Sequence, residues 1–338
     1  MREAFAIAVL LLGCSSSTTT TTAGQDAAAT DVATGISADQ ACSDAATASC
    51  KKLDACRVNG VAIRFGSMDT CVARTKANCL SGMGAADTGR TPANEEACAV
   101  AYASATCTEY WENTIAACQA PVGKRAAGAP CTYSGQCQSA FCSMATGAPC
   151  GTCAAQPTAG QSCATTQCGS GQVCVKSTSL CQPYGAAGAA CDSSSDCQYG
   201  MACVAPASGA GTCQAAGQVI NLACDRSAGP ICDPLLGLYC SFEPKATAGK
   251  CIAELTTTSG FCGFTAGTAT TGSTYTVCTG ASQCTMAAGA NTGTCVPNAL
   301  EGKACDTTNG PACLAPARCV TPTGATAGTC QLPDPTKC

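Results

Sequence analysis

Histidine is absent from this chain, and its absence excludes several kinds of chemistry at once. Ser–His–Asp and Cys–His catalysis, histidine-ligated metal sites and histidine-based pH switches all need an imidazole. Charged residues are also scarce, at 11% of 338 residues, and the lysines and arginines form no cluster. With a net charge of −4, the chain lacks the basic patch that nucleic-acid binding requires.

Aromatic residues make up only 4% of the chain, so a large apolar core is not available to it. Cysteine is abundant instead, with 35 residues, and this density is typical of a disulfide scaffold outside the reducing cytosol. Zinc and iron–sulfur sites need cysteines at close paired spacings, and only Cys150–Cys153 has the C-x-x-C form. We therefore expect disulfides, with no metal and no cofactor.

The N-terminus has the features of a bacterial lipoprotein signal. The apolar run Ala4–Leu12 is too short to cross a bilayer as a helix and suits the core of a signal peptide. It ends in Leu11-Leu12-Gly13-Cys14, which resembles a lipobox, and lipidation of Cys14 would leave 34 cysteines, an even number that can pair completely. Residues 1–14 are thus interpreted as a signal with a lipidated cysteine; an ordinary secretory leader is the alternative.

Residues 15–37 consist mainly of Ser, Thr and Ala and predict a flexible tether. Residues 38–122 predict a small all-α domain, because cysteines and apolar residues recur at helical spacing and Thr91-Pro92 has the form of an N-cap followed by a first-turn proline. Two expected helices, Asp39–Cys56 and Asp69–Leu80, each carry two cysteines eight residues apart.

That spacing predicts two disulfides. In an antiparallel hairpin of these helices, reversed by the Arg57–Met68 loop, Cys50 faces Cys71 and Cys42 faces Cys79, because the paired residue numbers have the same sum. The pairing of Cys56, Cys98, Cys107 and Cys118 stays open.

From residue 123 to the C-terminus the chain repeats a four-cysteine unit six times, followed by a short tail. The units cover about 128–153, 160–181, 188–213, 221–251, 259–295 and 302–330. Units of this size bury too little apolar surface to fold without crosslinks, so we expect irregular modules with short β-hairpins held by cystines. Cys150 and Cys338 remain; either they pair or Cys338 begins an incomplete seventh unit.

The best-preserved unit, Gly188–Cys213, has the pattern G-x-x-C-x(5)-C-x-x-G-x-x-C and ends in G-T-C. This pattern resembles the Dickkopf N-terminal cysteine-rich type repeat, which occurs in predicted lipoproteins of myxobacteria and related delta-proteobacteria. The resemblance covers about residues 123–330. It implies a cystine-rich fold in a bacterial lipoprotein, and it carries over no signalling activity. Ser15 follows Cys14 where an inner-membrane retention signal would have Asp, which indicates the outer membrane. The fourth unit departs from the pattern, with Asn221 in place of the first glycine.

Several features could carry chemistry, and each has a structural explanation that we prefer. Cys150–Cys153 could exchange disulfides, two pairs of glutamates could act as acid and base, Asp192 and Asp196 could bind calcium, and Tyr110-Trp111 could stack on a sugar. We expect instead structural cystines, solvated helix faces, a turn and a helical core. The glutamates are Glu95, Glu96, Glu109 and Glu112.

The sequence thus predicts a non-enzymatic protein, tethered by a lipid at the outer membrane and exposed at the surface. It would be a modular disulfide-stabilised rod that binds an extracellular protein or polysaccharide. The alternative is a secreted protease inhibitor, for which Gly263–Val277 is the one long interval between cysteines that could present a loop.

Overall fold

A computed structural model describes residues 35–164, 166–205, 211–225, 227–242, 246, 248–267, 272–287 and 289–338. Within these ranges the protein is disulfide-rich, with helices first and small antiparallel sheets afterwards. Residues 36–338 form one compact unit. No helix of the described residues is both long and apolar enough to cross a membrane.

Five helices make up the helical region, which we define as residues 38–122. They are α1 (Ala38–Cys56), α2 (Gly60–Phe65), α3 (Met68–Met83), α4 (Pro92–Ser104) and α5 (Cys107–Trp111). Four of them begin after a Ser or Thr whose hydroxyl accepts a first-turn backbone N–H: Ser37, Ser67, Thr91 and Thr106. Such caps satisfy backbone donors that have no partner inside the helix. α2 lies within the predicted Arg57–Met68 loop and is preceded by Asn59 in the left-handed conformation.

Each of the six four-cysteine units folds as a module around a sheet of two to five strands. The first three contain β1 (Pro130–Cys131), β2 (Cys142–Ser143) and β3 (Gly151–Cys153); β4 (Gln172–Val175) and β5 (Leu180–Pro183); and β6 (Ala190–Cys191), β7 (Met201–Val204) and β8 (Gly211–Ala215).

The fourth module contains β9 (Ala223–Asp225), β10 (Leu238–Ser241) and β11 (Ala248–Ala253). The fifth has β12 (Leu255–Thr257), β13 (Gly260–Thr265), β14 (Thr274–Cys278), β15 (Ser282–Met286) and β16 (Thr292–Pro297), and the sixth has β17 (Ala304–Asp306), β18 (Arg318–Val320) and β19 (Ala327–Gln331). In the three-stranded sheets the last strand lies between the other two.

The disulfide pattern is the same in every module, with the first cysteine bonded to the third and the second to the fourth. The third and fourth cysteines always lie directly opposite each other on neighbouring strands, as Cys203 and Cys213 do. The two cystines therefore lie side by side, and their cysteines make up half or more of the buried cluster in the first, third, fourth, fifth and sixth modules. Cystines take the place of an aliphatic core.

Two glycine positions of the repeat have clear backbone reasons. The glycine three residues before the first cysteine has a positive φ, between 75° and 86°, in Gly128, Gly160, Gly188 and Gly302. Asn221, which replaces it in the fourth module, has φ 68°, a conformation that Asn tolerates better than most residues. At Gly249 and Gly328, two residues before the last cysteine, a Cβ would overlap the carbonyl oxygen of the neighbouring strand.

Every module contacts the helical region, so the modules do not extend away from it as the predicted rod would. Backbone atoms or side chains of all six form hydrogen bonds to residues 38–122: Gly135 O with Gly89 N, Gly171 N with Glu112 O, Tyr199 OH with Cys56 O, Leu235 O with Val58 N, Ala281 N with Ala62 O and Leu314 O with Arg74 Nη2. Leu314 of the sixth module also enters the main buried cluster, beside Leu53, Val61 and Phe65. The chain thus packs its modules around the helices.

Candidate functional site

Cys14, the predicted lipidation site, lies outside the described residues. The two predicted disulfides fall within them, and the structure joins Cys42 to Cys79 and Cys50 to Cys71, with Cα–Cα distances of 5.6 and 6.1 Å. The remaining cysteines of the helical region pair as Cys56–Cys107 and Cys98–Cys118.

The C-x-x-C motif does not form a redox pair, because its two cysteines belong to different disulfides. Cys153 is bonded to Cys137 inside the first module, and Cys150 is bonded to Cys338. The second bond crosses 188 residues of sequence and ties the first module to the C-terminal tail. The structure therefore favours pairing of the two remaining cysteines over a seventh unit.

The four glutamates do not form acid–base couples. The Glu95 carboxylate accepts two hydrogen bonds from Arg90, and Glu109 caps α5 by accepting the Thr106 backbone N–H at 2.7 Å. Burial raises the pKa of Glu112 above its ordinary value, while a hydrogen bond from the Tyr199 backbone opposes that rise. Glu96 and Glu112 each bury one carboxylate oxygen that has no hydrogen-bond partner among the described residues.

Asp196 is buried in a turn and accepts the backbone N–H groups of Asp192 and Ser193 at 2.8 and 2.9 Å. Asp192 accepts the Ser177 N–H at 2.6 Å, so neither side chain is arranged around a common cation position. Trp111 is half-buried against Tyr199 of the third module, with ring centroids 6.2 Å apart, and so does not form the helical core that we predicted for it. Asp192, Asp196 and Trp111 thus each contact other residues of the protein, as the structural explanation of these residues requires.

Seven of the eleven described residues of Gly263–Val277 lie in strands. β13 and β14 pair antiparallel within it, with Phe264 opposite Tyr275, and residues 268–271 fall outside the described chain. An inhibitor presents an extended loop to its protease, and the strands in the described part of this interval add no specific support for such a loop.

Two clefts have polar linings. The first has a volume of about 270 Å³ and lies between α1, α3, α4 and the first module. It is lined by Ser49, Thr75, Asn78 and Tyr102, together with the Arg90–Glu95 ion pair. The charges of Arg90 and Glu95 neutralise each other, so the described lining residues offer no unpaired charge to a ligand.

The second cleft, which we call the Arg318 cleft, has a volume of about 480 Å³ and is lined by residues of the first, second and sixth modules. Tyr133, Phe141 and Arg318 form its inner wall, and the exposed side chains of Thr146, Gln167 and Thr307 form its rim. A backbone hydrogen bond of 3.1 Å from Thr321 N to Gly147 O joins the first and sixth modules beside it.

The C-terminal tail, residues 331–338, holds this arrangement in place. Arg125 Nη1 donates to the carbonyl of Cys338 at 3.0 Å, and the hydroxyls of Thr132 and Tyr133 donate to the carbonyls of Asp334 and Pro333 at 3.3 and 3.5 Å. The Cys150–Cys338 disulfide adds a covalent link at the same place. The geometry of the cleft is therefore fixed by both ends of the module array.

Arg318 is the charged group of the inner wall. Its side chain is half-buried, it donates to the thioether of Met144, and it belongs to none of the five ion pairs between described residues. Burial lowers the pKa of Arg318, and burial raises the pKa of the neighbouring Tyr133 hydroxyl. Sequence reasoning missed Arg318, because one arginine without a motif or a charged neighbour gives no signal.

Comparisons with known proteins add no relative. No protein-family model, no curated protein sequence and no solved structure matches the chain at a significant level.

Proposed function

We propose that this protein is a non-enzymatic lipoprotein of the bacterial cell surface that binds an extracellular polysaccharide or protein. The observation that supports the proposal is the pairing of all described cysteines in seventeen disulfides, twelve of them repeated as two per module. Such crosslinking indicates an oxidising environment and suits a modular extracellular protein.

The lipid anchor rests on the sequence of the N-terminus and on the resemblance of the modules to Dickkopf-type repeats of bacterial lipoproteins. The even count supports it as well, because the 34 cysteines among the described residues all pair with one another. A protease inhibitor receives no specific support from the described part of Gly263–Val277.

The test is metabolic labelling with an alkyne-palmitate in a host that has signal peptidase II. We expect the full chain to incorporate the label at Cys14 and the Cys14→Ser variant, the matched control, to incorporate none. Label in the Cys14→Ser protein, or a mature N-terminus beyond residue 22, would contradict lipid anchoring.

A further inference from the structure

The Arg318 cleft combines an unpaired cation with an opening large enough for a small ligand. A half-buried guanidinium loses part of its hydration, and this loss is costly unless an anion or several acceptors replace the water. Its one side-chain partner in the described chain is the Met144 thioether, which is a weak acceptor. The wall of the cleft therefore presents positive charge with little to neutralise it.

The acidic residues near the cleft do not supply the missing partner. The Asp306 carboxylate accepts the backbone N–H groups of Thr308 and Asn309 at 2.7 and 3.0 Å, in a local turn. Asp334 accepts the Thr336 N–H at 3.0 Å and lies 3.7 Å from Lys337 Nζ. Both carboxylates are engaged elsewhere, so an anion in the cleft would have Arg318 available to it.

The charge of the site favours a monoanion. One guanidinium matches one carboxylate and can hold it through two parallel N–H···O bonds. A phosphate carries up to two charges and is usually bound by several cationic or backbone donors, which the lining residues do not provide.

The rim of the cleft carries uncharged polar side chains that can form hydrogen bonds to a ligand. Thr146 and Gln167 are exposed, and their side chains form no hydrogen bond within the part of the chain that the structure describes. With the Thr307 hydroxyl they offer donors and acceptors of the kind that pair with sugar hydroxyls. The volume of about 480 Å³ lies within the range of about 300–1,000 Å³ that is usual for small-molecule sites.

We propose that the Arg318 cleft binds a carboxylated sugar, a hexuronate, with the carboxylate on Arg318 and the ring hydroxyls on Thr146, Gln167 and Thr307. This inference rests on the proposed extracellular binding function and names the ligand class of that function. A polysaccharide that contains uronate residues would present such a group to the exposed rim.

The experiment measures dissociation constants of the oxidised full chain, in detergent, by saturation-transfer NMR and calorimetry. The probes are glucuronate, galacturonate, glucose, N-acetylalanine and sulfate. We expect one of the uronates to bind at least tenfold more tightly than glucose, which lacks the carboxylate, and than N-acetylalanine, which lacks the ring hydroxyls.

The Arg318→Gln variant should weaken uronate binding at least tenfold, and Arg318→Lys should weaken it less. Lys303→Gln is the matched control, because it removes one positive charge from an exposed position of the same module and should leave binding unchanged. Gln167→Ala, at an exposed rim position where folding is not at risk, should weaken binding a few-fold without changing the disulfide map.

Several outcomes would overturn the proposal. They are no detectable uronate binding by the full chain, unchanged binding in Arg318→Gln, equal loss in Lys303→Gln, or N-acetylalanine or sulfate binding as tightly as the uronates. The N-acetylalanine result would point to peptide carboxylates instead. Because these constants are measured on purified protein, they can fail while the lipid labelling of Cys14 succeeds, and the reverse.

Discussion

The helical region and the modules solve the same shortage of apolar residues in different ways. The helical region forms hydrogen bonds within its own helices and buries Leu53, Val61 and Phe65 together with the Cys50–Cys71 cystine. The buried clusters of the first, third and fifth modules consist of cysteines alone. Helices of this length gain stability from local hydrogen bonds and packing, whereas strands of two to six residues have little stability without a crosslink.

The sizes of the loops that the disulfides close make the difference quantitative. Within the modules, bonded cysteines are 11 to 22 residues apart, and the loop-entropy relation gives each such crosslink about 3 kcal/mol of stability. Two crosslinks per module thus supply about 6 kcal/mol, which is comparable with the stability of a whole small domain. The modules should therefore depend on oxidation far more than the helices do.

Reduction is the largest expected effect. With a phosphine reductant, we expect residues 38–122 to keep part of their far-UV helical signal while residues 123–338 become sensitive to proteases. Limited proteolysis of oxidised and reduced chain, read by mass spectrometry, measures this. The control is non-reducing peptide mapping of the untreated chain, in which Cys42–Cys79, Cys50–Cys71 and Cys150–Cys338 peptides should appear.

Two results would go against this comparison. If the reduced modules resist proteases as well as the oxidised ones do, cystines are not what holds them. If a peptide links Cys42 to Cys50, the antiparallel pairing of α1 and α3 is wrong, because about 12 Å of helical rise separates two residues eight apart.

Much of this division can be predicted from the sequence, because local spacing sets it. Eight-residue cysteine spacing on two helices fixes their mutual register, and the repeat period fixes the module limits. The packing of modules around the helices depends on isolated residues such as Leu314 and Ala281, which no periodic pattern distinguishes. For the same reason Trp111 was predicted in the helical core, although it packs on Tyr199 of a module.

A glycine substitution tests the claim that module strands need close backbone approach, and it should have an intermediate effect. A Cβ at Gly328 would overlap the Val320 carbonyl oxygen of the paired strand, so Gly328→Ala should cost about 2 kcal/mol or more by strain and lost pairing. Gly302→Ala in the same module is the matched control. Its Cβ meets no atom within 4 Å, and the positive φ alone should cost about 1 kcal/mol.

Denaturant unfolding of both variants, with all disulfides intact, gives the two free energies. An equal cost for Gly328→Ala and Gly302→Ala would mean that backbone conformation, and not the approach of the neighbouring strand, explains the repeated glycine before the last cysteine.

The smallest expected effect concerns the contact between the helical region and the modules. Two glutamates there have pKa values shifted in opposite directions. Burial raises the pKa of Glu254, between β11 and β12, to about 7, and the positive charge of Arg57 in the helical region opposes the rise. The hydrogen bond from Arg74 of α3 lowers the pKa of Glu301, in the segment before the sixth module. In both cases an arginine of the helical region acts on a carboxyl group that lies outside that region.

These directions give opposite pH dependences. Between the unfolded value of 4.5 and about pH 7 the folded chain holds the Glu254 proton while the unfolded chain has released it, so stability falls as pH rises through that window. Because Glu254 is partly exposed and solvent screens its interactions, we expect a loss of only about 1 kcal/mol. Glu254→Gln should remove most of the decline, and the raised pKa of Glu112 leaves a smaller one. Glu301→Gln is the matched control. The stability contributed by a carboxyl with a lowered pKa is lost only as pH falls below about 4.5, so this variant should leave the decline between pH 4.5 and 7 unchanged.

Unfolding free energies of the three proteins at pH 4.5, 5.5 and 7 measure the difference. A decline of unchanged size in Glu254→Gln would assign it to another group and would contradict the raised pKa of Glu254.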